Sequence, residues 1–124
     1  IPYMRVAEMY LIEAEAKAML GQADASTLLF TLVKSRNPSY VLSTNTGQAL
    51  VDEIWFQRRI ELWGEGFRFY DLKRTNSALD RSGANHDSAI TGGVINVPAT
   101  DKRWQWLFPR AEINANPLIV QNDL

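Results

Sequence analysis

The feature that most constrains the fold is a spacing. Tyr3, Ala7, Tyr10, Ala14 and Ala18 recur at intervals of three and four, and Gly21 follows them as a stop. One face of an α-helix repeats at that interval, so the spacing predicts a helix over Tyr3–Leu20. Three of the five are alanines, which lets a partner helix come close on that face. Glu13 and Lys17 stand four apart and form a favourable pair on the outside. The partner follows directly. Asp24 is placed to N-cap a second helix running to about Arg36, with Leu28, Leu29, Leu32 and Val33 as its apolar face. Asn37-Pro38 ends it, because a proline ring disfavours helix in the residue before it. Two antiparallel helices joined at Gly21 to Ala23 make a hairpin that cannot bury both of its faces alone.

The rest of the chain must supply the cover. Ser43-Thr44-Asn45-Thr46-Gly47 is a polar turn leading into a third helix, expected from about Gln48 to Trp63, with Leu50, Ile54 and Leu62 apolar. Gly64-Glu65-Gly66 breaks the pattern, and Phe67 to Arg74 reads as a short further helix. From about Thr75 to Arg103 the helical period disappears among Ser, Asn, Asp, Gly and Thr. There Gly92-Gly93 beside Val94-Ile95-Asn96-Val97 allows a turn and a short strand. Trp104 to Leu124 is rich in aromatics and Pro and reads as an extended tail packed back on the helices. The expected class is therefore mainly α: a hairpin the size of one tetratricopeptide unit, further helices, a long irregular loop and an extended C-terminal tail. At 124 residues this is one domain or a fragment of a larger one, helical over 1–74 and irregular over 75–124.

Composition removes several function classes. Apolar residues make up 46% and charged residues 22%, so the chain is not disordered. Thirteen basic residues nearly balance fourteen acidic ones, whereas binding nucleic acid through bulk charge needs an excess of Lys and Arg. The absence of Cys excludes disulfide scaffolds, thiolate metal sites and cysteine nucleophiles. No apolar run approaches the roughly eighteen residues that span a bilayer. Ile1-Pro2-Tyr3-Met4-Arg5 has neither an initiator Met nor a basic leader, so the chain reads as a piece excised from a longer protein.

Four constellations could carry chemistry. Glu61 and Glu65 share a helix face if the helix persists through Gly64, at a separation near the ~5 Å of the two carboxyls in retaining glycosidases. The favoured reading is a structural ion network of Arg58, Glu61, Glu65, Arg68, Asp71 and Arg74, because opposite charges crowd around a helix break. His86, the one histidine, sits beside Asp87 in a polar loop; with no Cys it makes no standard zinc site, and no nucleophile-elbow motif frames a Ser. The Gly pairs do not lie between a strand and a helix opening with Lys-Ser or Lys-Thr, so no phosphate loop is present. The aromatics remain. Trp55 and Trp63 read as core at helical spacing. Trp104 and Trp106 alternate in an extended tail, where flat rings can stack on the C–H face of a sugar.

The run from Arg58 to Arg74, Arg-Arg-Ile-Glu-Leu-Trp-Gly-Glu-Gly-Phe-Arg-Phe-Tyr-Asp-Leu-Lys-Arg, resembles a pattern of the SusD/RagB family, E-R-x-x-E-L-x-x-E-G-x-R-F/W-x-D-L-x-R. Tyr3 to Ala16 resembles that family's R-x-A-E-x-Y-L-x-x-A-E-A helix, and Arg36 stands where its second helix ends in an arginine. Glu112 to Asn122 resembles its closing E-I-x-x-N-P-x-L-x-Q-N. The resemblance spans nearly the whole chain, in the family's order. Gln57 departs from the usual Glu, which removes one charge from the network, and Leu107-Phe108-Pro109 departs from Pro-Ile-Pro, which leaves the tail less rigid.

The resemblance implies a mostly helical, tetratricopeptide-like scaffold from the C-terminal part of a glycan-binding protein. Such proteins sit on the outer face of the outer membrane through a lipid anchor, here upstream of this chain. They cap a TonB-dependent porin of the SusC type and deliver oligosaccharides or, in some branches, peptides. They are not enzymes, and no cofactor, metal or nucleic acid is implied. The Glu61–Asp71 stretch becomes architecture. A helical-repeat module that docks on the porin without touching glycan is the alternative, and a glycoside hydrolase using Glu61 and Glu65 a distant third. If sugar touches this piece, the expected face is the irregular stretch from Thr75 to Trp106, through Asn85, His86, Trp104 and Trp106, with Asn76 and Asp87 beside them.

Overall fold

In the computed structural model, which describes residues 5–123, the first helix, α1 (Val6–Met19), buries Ala7, Leu11, Ala14 and Ala18 on one side. These continue the predicted stripe; Tyr3 lies outside the described residues. The helix ends where Gly21 takes a left-handed φ of +69°, and Gln22 N–H reaches back to the Lys17 carbonyl at 2.9 Å. Glycine carries no Cβ to oppose that conformation. The chain then turns into α2 (Ala25–Arg36), whose Ala25, Leu29, Leu32 and Val33 are buried. Asp24 occupies the position before α2 but its side chain does not cap it. Its backbone lies at φ −89° and ψ 0°, away from the extended geometry a cap requires, and its carboxylate instead accepts from Lys17 Nζ at 2.6 Å. Asn37 is extended before Pro38, which stops the helix as expected.

The third helix, α3 (Gly47–Glu61), contributes Leu50, Val51 and Ile54, and Leu62 adds to the same core just beyond its end. α1 packs on both α2 and α3. Leu11, Leu29 and Ile54, one from each helix, are the largest side chains fully removed from solvent. Tyr10, Leu28, Tyr40, Trp55 and Phe67 close over this core. The opposite side of α1 leaves Met9, Ile12, Met19 and Leu20 exposed, so this helix is apolar on two faces. α3 stops at Glu61, short of the expected Trp63, and Gly64 and Gly66 both hold positive φ. Glu61 and Glu65 therefore do not share a helix face.

The chain divides into two compact units, residues 1–67 and 68–124. The boundary falls within α4 (Phe67–Arg74), which buries Asp71 and Leu72. Beyond it the second unit holds short elements. β1 (Leu79–Asp80) pairs antiparallel with β2 (Asn96–Val97), Leu79 opposite Val97. The strand foreseen near Val94–Val97 is thus two residues long. Between them lies α5 (Ser88–Thr91), capped by Asp87, whose Oδ1 accepts from Ala89 N–H at 2.8 Å. A 3-10 turn, Lys102–Trp104, follows, and the tail is extended on either side of α6 (Arg110–Ala115). Six residues of the tail are therefore helical where extended chain was expected throughout.

Candidate functional site

In the first unit, charge gathers on Glu61. Its carboxylate takes Arg36 Nη2 at 2.9 Å and Arg36 Nε at 3.1 Å from the end of α2, and also pairs with Arg5 from the start of α1. Arg5 binds Glu65 as well and donates to the Glu61 carbonyl at 3.1 Å. One guanidinium thus ties both carboxylates to the N-terminus of α1. The Arg36 hydrogen bonds, opposed by burial and helped by the charges of Arg36 and Arg5, hold the Glu61 carboxyl below its ordinary range. A general acid needs the opposite shift. Arg58 is buried, pairs with Glu8 at 3.4 Å and sits 5.1 Å from the centre of the Phe67 ring.

In the second unit, Asp71 accepts from Arg74 Nε at 2.9 Å, one helical turn along α4, and Arg68 stands exposed at the start of that unit. Of the six residues expected in one ion network, Glu61 and Glu65 meet through Arg5, and Asp71 meets Arg74. Arg5 and Arg36 were not among the six. Both come from far along the chain, and their signals were the arginine opening the R-x-A-E motif and the arginine ending the second helix.

A further carboxylate organises the loop before α3. Glu53 accepts from Tyr40 Oη, Ser43 Oγ and Asn45 Nδ2, the last at 2.8 Å. Burial pushes its carboxyl up, but the three donors win and hold it below the usual value. The same burial, with the Glu53 charge, pushes the Tyr40 hydroxyl well above its ordinary range. This loop borders a cleft of about 360 Å³ whose wall mixes Gln22, Ser26, Thr44 and Thr46 with Ala18 and Leu50 and holds no aromatic ring.

In the first unit Trp55 packs against the core as expected, but Trp63, also expected there, is 85% exposed because the chain turns at Gly64; a ring cluster lies in the second unit. Phe69 of α4 stands at the centre of a cluster: its ring centre is 5.4 Å from Tyr70, edge-on at 89°, and 5.5 Å from both Trp104 and Trp106. Asp101 places Trp104 by capping its turn, accepting from Arg103 N–H at 2.9 Å, and the Trp104 indole N–H donates to the Pro98 carbonyl at 2.7 Å. Gln105 between the tryptophans is extended, so the two indoles leave the backbone on the same side, where both meet Phe69. Trp104 is 8% exposed and Trp106 70%. The expectation of two sugar-stacking tryptophans is therefore corrected: Trp104 is committed to packing and only the Trp106 ring lies open.

The polar candidates are on the surface. Asn85 is exposed with a left-handed φ of +50°, His86 beside it is exposed, and Asp87 is engaged as the cap of α5. Asn76, also exposed at φ +50°, closes the turn after α4. Sequence reasoning missed Gln121 and Asn122. The Gln121 amide takes both backbone groups of Phe108, accepting from its N–H at 2.8 Å and donating to its carbonyl at 3.1 Å. Asn122 Nδ2 donates to the Trp106 carbonyl at 2.6 Å. Their signal was the Q-N pair closing the last family motif.

Among the described residues no helix is long and apolar enough to cross a membrane, and no group of three or more acidic or His side chains is placed to hold a metal. The model of the SusD family matches residues 1–124. A SusD-like protein of Formosa agariphila is 38% identical across 95% of this chain and 23% of its own length. The crystal structure of a SusD-like carbohydrate binding protein from Bacteroides vulgatus ATCC 8482 matches with a TM-score of 0.59 and 44% identity, over 64% of this chain and 17% of that one. The chain thus spans less than a quarter of the length of these relatives.

Proposed function

The chain belongs to the SusD family, and from that premise we propose that it is the C-terminal scaffold region of a non-catalytic glycan-binding protein for nutrient uptake. The observation that carries the reading is the 44% identity to a carbohydrate binding protein of known structure. In this reading the whole protein is held to the outer face of the outer membrane by a lipid upstream of this chain. It hands oligosaccharides to a TonB-dependent porin of the SusC type. The first unit supplies the helical frame. The second unit supplies the irregular surface with an open ring and with Asn85 and His86 as polar candidates for sugar hydroxyls. The pairing of Glu61 with two arginines supports an architectural role over a catalytic one.

Calorimetric titration of galacto-, gluco-, manno- and xylo-oligosaccharides into the intact protein tests the reading. Binding of at least one, with no release of reducing sugar, is the expected result; turnover, or silence across the whole panel, would overturn it.

The exposed Met9, Ile12 and Met19 on the outer side of α1 favour a second reading, a helical-repeat module that docks on the porin without touching glycan. Co-purification with the porin that is lost in an Ile12→Glu variant, while oligosaccharide affinity stays unchanged, would support it.

A further inference from the structure

We propose that residues 37–46, which connect α2 to α3, are a latched strap: Lys34 fastens its first half and Glu53 its second, and release of Glu53 frees the strap to swing while the three helices keep their packing. The end of the strap is one wall of the cleft of about 360 Å³, so Glu53 is the positioning residue that sets how wide the cleft stands. The device goes beyond the glycan-binding reading and holds or fails without it.

Neither apolar packing nor backbone pairing fixes the course of the strap. Among the described residues, 41–44 make no main-chain to main-chain hydrogen bond. Val41 is 76% exposed and Leu42 47%, so neither anchors it. Tyr40 leans on the core, its ring centre 6.2 Å from Phe30. Charge does the rest. Lys34 Nζ of α2 donates to the Pro38 carbonyl at 2.7 Å and to the Tyr40 carbonyl at 3.1 Å. Glu53 of α3 takes Tyr40 Oη on one carboxylate oxygen, and Ser43 Oγ and Asn45 Nδ2 on the other. Each helix that the strap joins thus sends one charged side chain to hold it. Both helices pack on α1 and meet each other little, so the strap can move without carrying either with it.

The latch is releasable. An ionised carboxylate accepts on both oxygens, and hydrogen bonds to it are about twice as strong as those between neutral groups. Protonation removes that charge and makes one oxygen a donor. Tyr40 is the titratable group bonded to Glu53, and no cation pairs with Glu53 among the described residues. Lys34 holds carbonyls instead, Asp52 beside it accepts from Gln48 Nε2 at 2.8 Å, and on α1 Glu8 is engaged with Arg58. The three donors hold the Glu53 carboxyl below its ordinary 4.5, so the latch is complete above that value and is lost as pH falls through the lower folded one.

The test measures the strap in the intact protein. Val41→Cys and Thr27→Cys, in a chain with no cysteine of its own, carry spin labels on the strap and on α2, both at exposed positions. A second pair, Thr27→Cys and Arg59→Cys, reads the helices alone. At neutral pH each pair should give one narrow distance distribution. Glu53→Gln should spread the strap distribution, and Asn45→Ala, which removes one donor at an exposed position, should spread it less; the latter carries the test if Glu53→Gln does not fold. Asp52→Asn, the neighbouring carboxylate, should leave it narrow. Acid below 4.5 should spread it in the unsubstituted protein and add nothing in Glu53→Gln, while the helix pair stays narrow. A strap distribution that stays narrow in folded Glu53→Gln, or in Asn45→Ala, overturns the inference and leaves the strap to the packing of Tyr40. Spreading of both pairs together also overturns it, since the helices and not the strap would then be moving.

Discussion

The two units solve the same problem, satisfying a backbone while burying apolar surface, by different means. In the first, three helices close their hydrogen bonds internally, which frees Leu11, Leu29 and Ile54 to make an aliphatic core. In the second, two-residue strands and a four-residue helix leave much of the backbone open, and side chains fill the gaps: Asp87, Asp101, Asn116, Gln121 and Asn122 each bond main-chain groups. Rings around Phe69 take the place of aliphatic packing. A periodic core spreads its stabilisation over many contacts of one kind. An irregular unit concentrates it in a few polar groups, each tied to one turn, and so leaves surface free for recognition.

The largest effect should come from the periodic core. Ile54 is fully buried against α1 and α2, so Ile54→Ala should cost about 2–5 kcal/mol, read by urea unfolding and by hydrogen exchange of the α1–α3 amides. A cost below about 1 kcal/mol would break the contrast, since it would mean this core tolerates a cavity. Next comes the charge centre of the same unit. Glu61→Gln removes the charge that Arg36 and Arg5 share, and should cost about 1–3 kcal/mol at neutral pH. Because the Glu61 carboxyl is held low, that contribution is complete above the ordinary carboxylate pKa and is lost as pH falls through the folded value. The gap between the two proteins should therefore narrow in acid. A constant gap would assign the loss to shape and not to charge.

Legibility in the sequence followed the same divide. The hairpin, the third helix and Phe67–Arg74 were readable because a local period and a Gly or Pro stop define each of them. The end of α3 came two residues early, since Gly64 and Gly66 turn the chain with positive φ before the apolar period runs out. Asp24 shows the limit of cap reasoning: the residue type was right, but Lys17, seven positions earlier, claims its side chain. The partners of Glu61 were hidden because they sit 56 and 25 residues away, and spacing carries no information at that range. In the candidate site the alternation of Trp104 and Trp106 was visible, yet which of the two is buried depends on Phe69 and Pro98. Gln121 was equally out of reach, thirteen residues from the Phe108 it clamps.

The smallest effect belongs to the irregular unit and shows its character best. Asp101 caps the Lys102–Trp104 turn and faces the Arg103 guanidinium at 2.7 and 2.8 Å. The Arg103 side chain, with help from its backbone N–H, holds the Asp101 carboxyl at about 2, against an ordinary 3.8. A carboxyl with a lowered folded pKa stabilises the folded state fully above its ordinary value. The contribution shrinks as pH falls from about 4 towards 2 and is gone below both values. Lowering the pH over that window should therefore reduce the protection of the Arg103 and Trp104 amides, read as exchange relative to the intrinsic rate at each pH. The α1–α3 amides, which owe nothing to Asp101, give the internal comparison. Asp101→Asn keeps an acceptor for the Arg103 N–H and removes the titration, so in that variant the acid dependence of those two amides should flatten. A carboxyl titration midpoint near 3.8, or an undiminished acid dependence in Asp101→Asn, would show that the turn is held by packing around Trp104 and not by its cap.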